Sequence, residues 1–434
     1  RRFTYRVEAG ELRIEQGIIN RKRRYIPLER VQTIDLSQGI LQQVFSIVSV
    51  RVETAGGGGR QPDVSLPGIA RSNAEDLRQI ISARTAAHRP DDLPDATTAV
   101  EPTIARSLSF GQLLLAGSTA GRVGVALTIV ASSVTLFDDL FLIEGISNLT
   151  SRVAGSFAIV LVAVVVAAFI WLLGVMGTVL AHFGFTLARD GDNLLITRGL
   201  LERRRATIPL DRIQAVRVIE GVVRQPFGLV ELRVESAGYG KQAGESTVLY
   251  PLLRREEVRP FLEQMAPSFA RQLSLQALPR RSRRRYAGRL QQVLPALVVG
   301  GAISAAFFPA GLIALVVLLS LTIALGLWQY HDAAWGVDID TLIVRWRIIG
   351  RVTVIVPRRR IQIARLNQNP FQRRADLGTF GASIASGSDG TGIGIVHLEL
   401  ADGERLLTWA GHVPSPQPLP TRSDIRIPED AALP

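Results

Sequence analysis

The chain contains no cysteine. Disulfide frameworks, thiolate metal sites and cysteine nucleophiles are therefore excluded. Histidine is scarce as well. His88, His182, His331, His397 and His412 never stand four apart, so the zinc-helix pattern is missing. Lysine occurs only at Lys22 and Lys241, so the basic side is almost wholly arginine. What the chain does have is apolar bulk. It is 434 residues long and 47% hydrophobic, which excludes a disordered chain and suggests two to four domains. Mean hydropathy is +0.22 with a pI near 10.9, an unusual pairing for a soluble enzyme. It suits an inner-membrane protein with basic cytoplasmic parts. The sequence opens at Arg1 inside what reads as a domain, and a preceding piece is expected.

Three apolar stretches stand out. Ala154 to Ala181 is 28 residues without a charge, and Val293 to Trp328 is 36. A membrane span needs about 20 such residues. Pro309 and Gly311 divide the second stretch, which predicts a tight helical hairpin; one long kinked helix is the alternative. Leu108 to Phe137 contains Arg122 but still reads as a span over 113–136. Segment 137–152 is acidic, whereas 267–290 carries seven arginines and no acid. The positive-inside rule then places the second segment in the cytoplasm and the first outside.

Self-comparison reveals a repeat. At a shift of 182, Leu12, Gly17, Ile26, Pro27, Leu28, Arg30 and Gln32 fall on Leu194, Gly199, Ile208, Pro209, Leu210, Arg212 and Gln214. A weaker third copy follows after a further 148, with Pro357, Arg360 and Gln362 on Pro209, Arg212 and Gln214. Each copy reads as about seven strands. Copies one and two close with helices at 72–84 and 255–265, the first opened by a Ser72-x-x-Glu75 capping box. Leu77, Ile80 and Ile81 should plug the first copy, and Phe261 and Leu262 the second. No closing helix is visible after Trp409, where Pro414, Pro416, Pro418 and Pro420 follow.

The pattern of a glycine turn, basic residues, I-P-L-x-R-[IV]-Q and a strand ending in E-[ST]-A-G resembles the bacterial pleckstrin-homology-like (bPH2) family. The resemblance implies PH-like β-sandwiches or barrels, and multi-copy members alternate them with transmembrane hairpins. The expected fold class is thus an α+β membrane protein with three such repeats. The layout is repeat 1 at 1–84, linker 85–107, hairpin 108–182, repeat 2 at 183–266 and a basic segment 267–290. Hairpin 291–328, a degenerate repeat 3 at 329–412 and a proline-rich tail 413–434 follow.

Catalytic chemistry finds little support. The runs Gly56–Gly59, Gly238–Gly240 and Gly390–Gly394 occupy equivalent repeat positions and lack a following Lys-Ser/Thr, so they read as hairpin turns. No catalytic residue, cofactor or metal is expected. The basic turns Arg21, Lys22, Arg23, Arg24 and Arg203, Arg204, Arg205 are candidate contacts for an anionic lipid or partner, as are Arg281, Arg283, Arg284 and Arg285. A solvated basic surface near an anionic membrane is the bland reading of the same residues. Eukaryotic PH domains hold headgroups on such a loop, but fold alone does not carry function. The reading is a non-enzymatic multi-pass protein of the bacterial plasma membrane, presenting PH-like modules on the cytoplasmic side for protein, peptide or lipid-headgroup recognition in a scaffold or assembly role. Its expected partners are anionic lipids and an unidentified protein, without nucleic acid. The alternative is a transport component, for which Arg122 and Pro309 are the only candidates.

Overall fold

A computed structural model describes residues 3–8, 10–16, 21–28, 31–54, 64–77, 104–119, 153–236, 247–271, 274–287, 310–385 and 392–411. Within them lie four antiparallel sheets. The first contains β1 (Phe3–Glu8), β2 (Glu11–Gln16) and β3 (Lys22–Pro27). The second joins β4 (Val31–Gln38), β5 (Ile47–Thr54) and β6 (Val64–Ala70) to β7 (Ile104–Ser107), β8 (Thr186–Asp190), β9 (Asn193–Arg198) and β10 (Arg203–Pro209). The third joins β11 (Ile213–Glu220), β12 (Leu229–Ser236) and β13 (Thr247–Arg254) to β14 (Gln276–Ala277), β15 (Ala334–Val337), β16 (Thr341–Arg347) and β17 (Arg351–Pro357). The fourth holds β18 (Ile361–Asn367), β19 (Leu377–Ile384) and β20 (Ile393–Glu399).

Each repeat folds as two stacked sheets over one core. Alternating strand residues supply it, as period-two patterning requires. Leu12, Ile14 and Ile26 of the first sheet meet Val48, Val50, Val52 and Leu66 of the second. Leu194, Ile196 and Ile208 meet Val216, Leu232 and Val234 in repeat 2, and Leu342, Val344 and Val356 meet Phe380, Ala382 and Ile395 in repeat 3. Pro27, Pro209 and Pro357 end β3, β10 and β17, where a ladder donor is no longer needed. The sheets nevertheless do not stop at repeat boundaries. β4 pairs with β10, and β11 pairs with β17. Consecutive repeats therefore share continuous sheets.

The closing helices correct one expectation and refine two others. Residues 71–77 are helical, with Leu77 buried; Ile80 and Ile81 lie outside the described residues. Ser72 sits inside this helix, and Glu75 bonds Arg205 at 3.1 Å, so the expected capping box is not formed. Helix Val258–Met265 plugs repeat 2 with Phe261, Leu262 and Met265. Repeat 3, expected to lack a closing helix, has one at Leu400–Ala410 that buries Leu406 and Ala410. Strand β7 arises within the expected linker, and β14 within the basic segment.

The expected alternation with transmembrane hairpins is overturned. Among the described residues no helix is long and apolar enough to cross a membrane. Helix Phe110–Ser118 has nine residues and Ser282–Ala287 six. Helices Val153–His182 and Ala310–Asp332 lead into β8 and β15. Arg122, Pro309 and loop 137–152 lie outside the described residues.

Candidate anion site between the first two repeats

The two inter-repeat junctions have the same register. Gln38 lies opposite Arg203, and Glu220 opposite Arg351. These pairs superpose under the sequence shifts of 182 and 148. What fills the two junctions differs.

At the first junction there is a cavity of about 200 Å³, lined by Arg71, Arg198, Arg203 and Arg205 with Glu75 as its acid. Arg205 pairs with Glu75 at 3.1 Å. Arg198 donates to His182 Nε2 at 3.3 Å, while His182 Nδ1 lies 3.2 Å from the Thr178 carbonyl. That arrangement suits a neutral imidazole with its proton on Nδ1. Two glycines leave the space: Gly184 (φ 60°) and Gly199 (φ 101°), both in the left-handed region. A Cβ at Gly184 would meet no atom within 4 Å.

At the second junction the corresponding residues are Asp332 and Arg347. Arg347 bonds Asp332, and its guanidinium stacks 3.7 Å from the Trp328 ring centre. Arg351 lies 3.4 Å from Asp332 and 3.7 Å from Glu220, and Arg255 also bonds Glu220. Glu220, Asp332 and Arg347 are buried, so this is a sealed ion network. Burial, then the neighbouring Arg351, holds the Arg345 and Arg255 guanidinium groups below their ordinary values. The first junction lacks the two carboxylates that neutralise the second: Gln38 and Gly184 stand for Glu220 and Asp332, while Arg203 matches Arg351 and Arg71, Arg198 and Arg205 are its own.

An apolar lip runs beside the cavity. Ile40, Leu41, Val44 and Phe45 are exposed on and just after helix Ile40–Val44, with Leu200 and Leu201 on the β9–β10 turn. Gln43 ties the two segments by donating to the Leu200 and Leu201 carbonyls. Phe45 is 70% and Leu41 75% exposed, which marks a contact surface rather than scattered surface apolars. Val222, Val223, Phe227, Ile348 and Ile349 form the equivalent tip at the second junction.

Of the sequence-predicted residues, Arg203 and Arg205 enter the cavity. Arg204 turns away to Glu202. Arg21, Lys22, Arg23 and Arg24 sit exposed on or beside β3, with Arg23 paired to Glu15. Arg281 pairs with Glu399 at 2.6 Å, and Arg285 donates to the Phe371 carbonyl and stacks on its ring. Arg283 and Arg284 are exposed. The three basic groups are thus not one site. Arg71, Arg198 and the two glycines were not singled out from sequence. Aligning the copies and asking where charge is missing would have found them. Of the glycine runs, 56–59, 238–240 and 390–391 lie outside the described residues, between strands that pair as hairpins.

Three sandwiches with closing helices, repeated in one register, decide the relationship. A model of the bacterial PH domain matches residues 1–85, 138–268 and 292–413. The chain belongs to the bacterial PH-domain family. It is 31% identical over 422 residues to UPF0699 transmembrane protein YdbT of Bacillus subtilis (strain 168), covering 94% of this chain and 85% of that protein. It is 34% identical over 91 residues to UPF0699 transmembrane protein YdbS of the same organism, covering 21% of this chain and 54% of that one. No solved structure matches.

Proposed function

We propose that this bacterial PH-domain protein is a non-enzymatic membrane-surface recognition module, working at the cytoplasmic face of the bacterial plasma membrane. It takes an anionic lipid headgroup into the cavity between repeats 1 and 2. The observation that carries this reading is the cavity itself: four arginines against one glutamate, beside an exposed apolar lip. A phosphate there would take the place of the carboxylates at the second junction, and planar guanidinium groups suit it. The lip would enter the headgroup–acyl boundary, as interfacial apolar faces do. The name of the similar B. subtilis protein, a transmembrane protein, supports a membrane setting. The arginine-rich 267–290 segment suits a surface that faces the anionic cytoplasmic leaflet.

The test is co-sedimentation of the purified chain with phosphatidylcholine vesicles, with and without phosphatidylglycerol. Anionic vesicles should bind it, and raised salt should weaken the binding, since screening acts over about 8 Å at physiological ionic strength. Arg203→Gln with Arg205→Gln should remove the preference for anionic vesicles. Leu41→Asp with Phe45→Asp should reduce total binding. Equal binding to neutral vesicles, or no effect of the arginine changes, would overturn the reading.

A further inference from the structure

The two internal junctions fix a rule: the outer edge of a repeat's fourth described strand accepts the third strand of the next repeat. In β4–β10 the pairs are Gln38–Arg203, Ser37–Arg204 and Leu36–Arg205. In β11–β17 the equivalent pairs are Glu220–Arg351, Ile219–Val352 and Val218–Thr353. One instance of each half of this junction stands open among the described residues. β18 ends its sheet, and β3 ends its own, with no partner on either outer edge among the described residues.

The β18 edge is built like its paired equivalent β4. Gln38 Nε2 donates to the Ile47 carbonyl at 3.0 Å, and Gln368 Nε2 donates to the Leu377 carbonyl at 2.8 Å, the same bond at the same repeat position. Gln42 donates to Ser49 Oγ, and Gln372 does the same to Thr379 Oγ1. Yet both open edges carry an apolar side chain in solvent where a paired copy buries its own. Ile363 is 61% exposed, and its equivalent Ala215 is fully buried. Tyr25 is 55% exposed, and its equivalent Ile355 is 6% exposed. An open, partly apolar strand edge is a template for another strand.

We propose that β18 accepts β3 of a second copy of this chain, in the internal register. Gln368 then lies opposite Arg21, Asn367 opposite Lys22 and Leu366 opposite Arg23, with Tyr25 opposite Ala364. The contact is head-to-tail, so it propagates into a ring or a filament rather than a closed pair. It is independent of the lipid site.

The cysteine-free chain makes the test clean. Lys22→Cys and Asn367→Cys are prepared as separate proteins, mixed and oxidised. Facing residues of paired strands come within disulfide reach, so an intermolecular disulfide is expected. Arg23→Cys mixed with Asn367→Cys is one residue out of register, which turns the thiol to the other face, and should cross-link far less. Ser37→Cys with Arg204→Cys in one chain is the same pair at the first junction and serves as the positive control. Ile363→Lys, an exposed change, should shift unmodified protein towards monomer in light scattering. Absence of the intermolecular disulfide while the internal control forms would overturn the proposal. So would equal cross-linking in both registers.

Discussion

Asp332 stands where Gly184 stands one repeat earlier, and its carboxylate bonds Arg347 and lies 3.4 Å from Arg351. The same junction is therefore sealed by an internal anion in one place and left basic in the other. Gly184→Asp should carry that seal across. Asp tolerates the left-handed conformation better than most residues, and there is open space at this position. The new carboxylate would meet the cavity arginines and compete with any anion. Affinity for anionic vesicles should fall at least about tenfold, or about 1.4 kcal/mol. Gly184→Asn, similar in shape but neutral, should keep the affinity. Equal losses in the two variants would point to backbone disturbance instead of charge.

Removing the seal should be costly. Asp332→Ala leaves the buried Arg347 and its neighbour Arg351 without their shared carboxylate. Breaking one partner of a buried ion pair typically costs about 3–5 kcal/mol. The urea midpoint of the variant should drop accordingly. Asp332→Ala combined with Arg347→Met should recover part of the loss, because the stranded charge is gone. If the double variant is as unstable as the single one, the arginine is not what makes the change costly.

The repeat and its strands were legible because identities recur at fixed shifts and the buried positions alternate. The third closing helix was not. Leu400–Ala410 contains Gly403 in its interior and has no side-chain cap, both poor helix signals. The reason is packing: a Cβ at Gly403 would lie 2.7 Å from Leu366 Cδ1, so the glycine lets the helix lie close on β18. Inter-repeat strand pairing leaves no periodic signature, since β4 and β10 alternate the same way whichever strand lies beside them. The cavity is visible only as a difference between copies, at Gly184 and Gly199 against Asp332 and Arg347.

The plug of repeat 2 gives a stability prediction. Phe261 is fully buried, with Tyr250 5.2 Å away and the Arg106 guanidinium 5.6 Å from its ring centre. Phe261→Ala should cost about 3–5 kcal/mol, through lost transfer energy and the cavity left behind. Phe261→Leu should cost less. Denaturant titration followed by tryptophan fluorescence would report both, and a loss under about 1 kcal/mol for the alanine variant would show that the site collapses to fill the gap.

Tyr250 should make the alkaline limb of stability steeper. Its hydroxyl donates to the Ser107 carbonyl at 3.3 Å, and its ring packs edge-on to Phe185. Burial pushes the phenol above its ordinary value; Arg106 pulls the other way and Glu257 adds to the rise. A group whose folded pKa is raised contributes stability that is fully present below its unfolded value, about 10 for tyrosine. That contribution is lost as pH rises through the folded value. The unfolding midpoint should therefore fall above about pH 10 more steeply in the parent than in Tyr250→Phe. At neutral pH the phenylalanine variant loses the bond to Ser107, worth about 0.5–1.5 kcal/mol. The two curves should converge as pH rises, and curves that stay parallel from pH 8 to 11 would exclude Tyr250 as the titrating group.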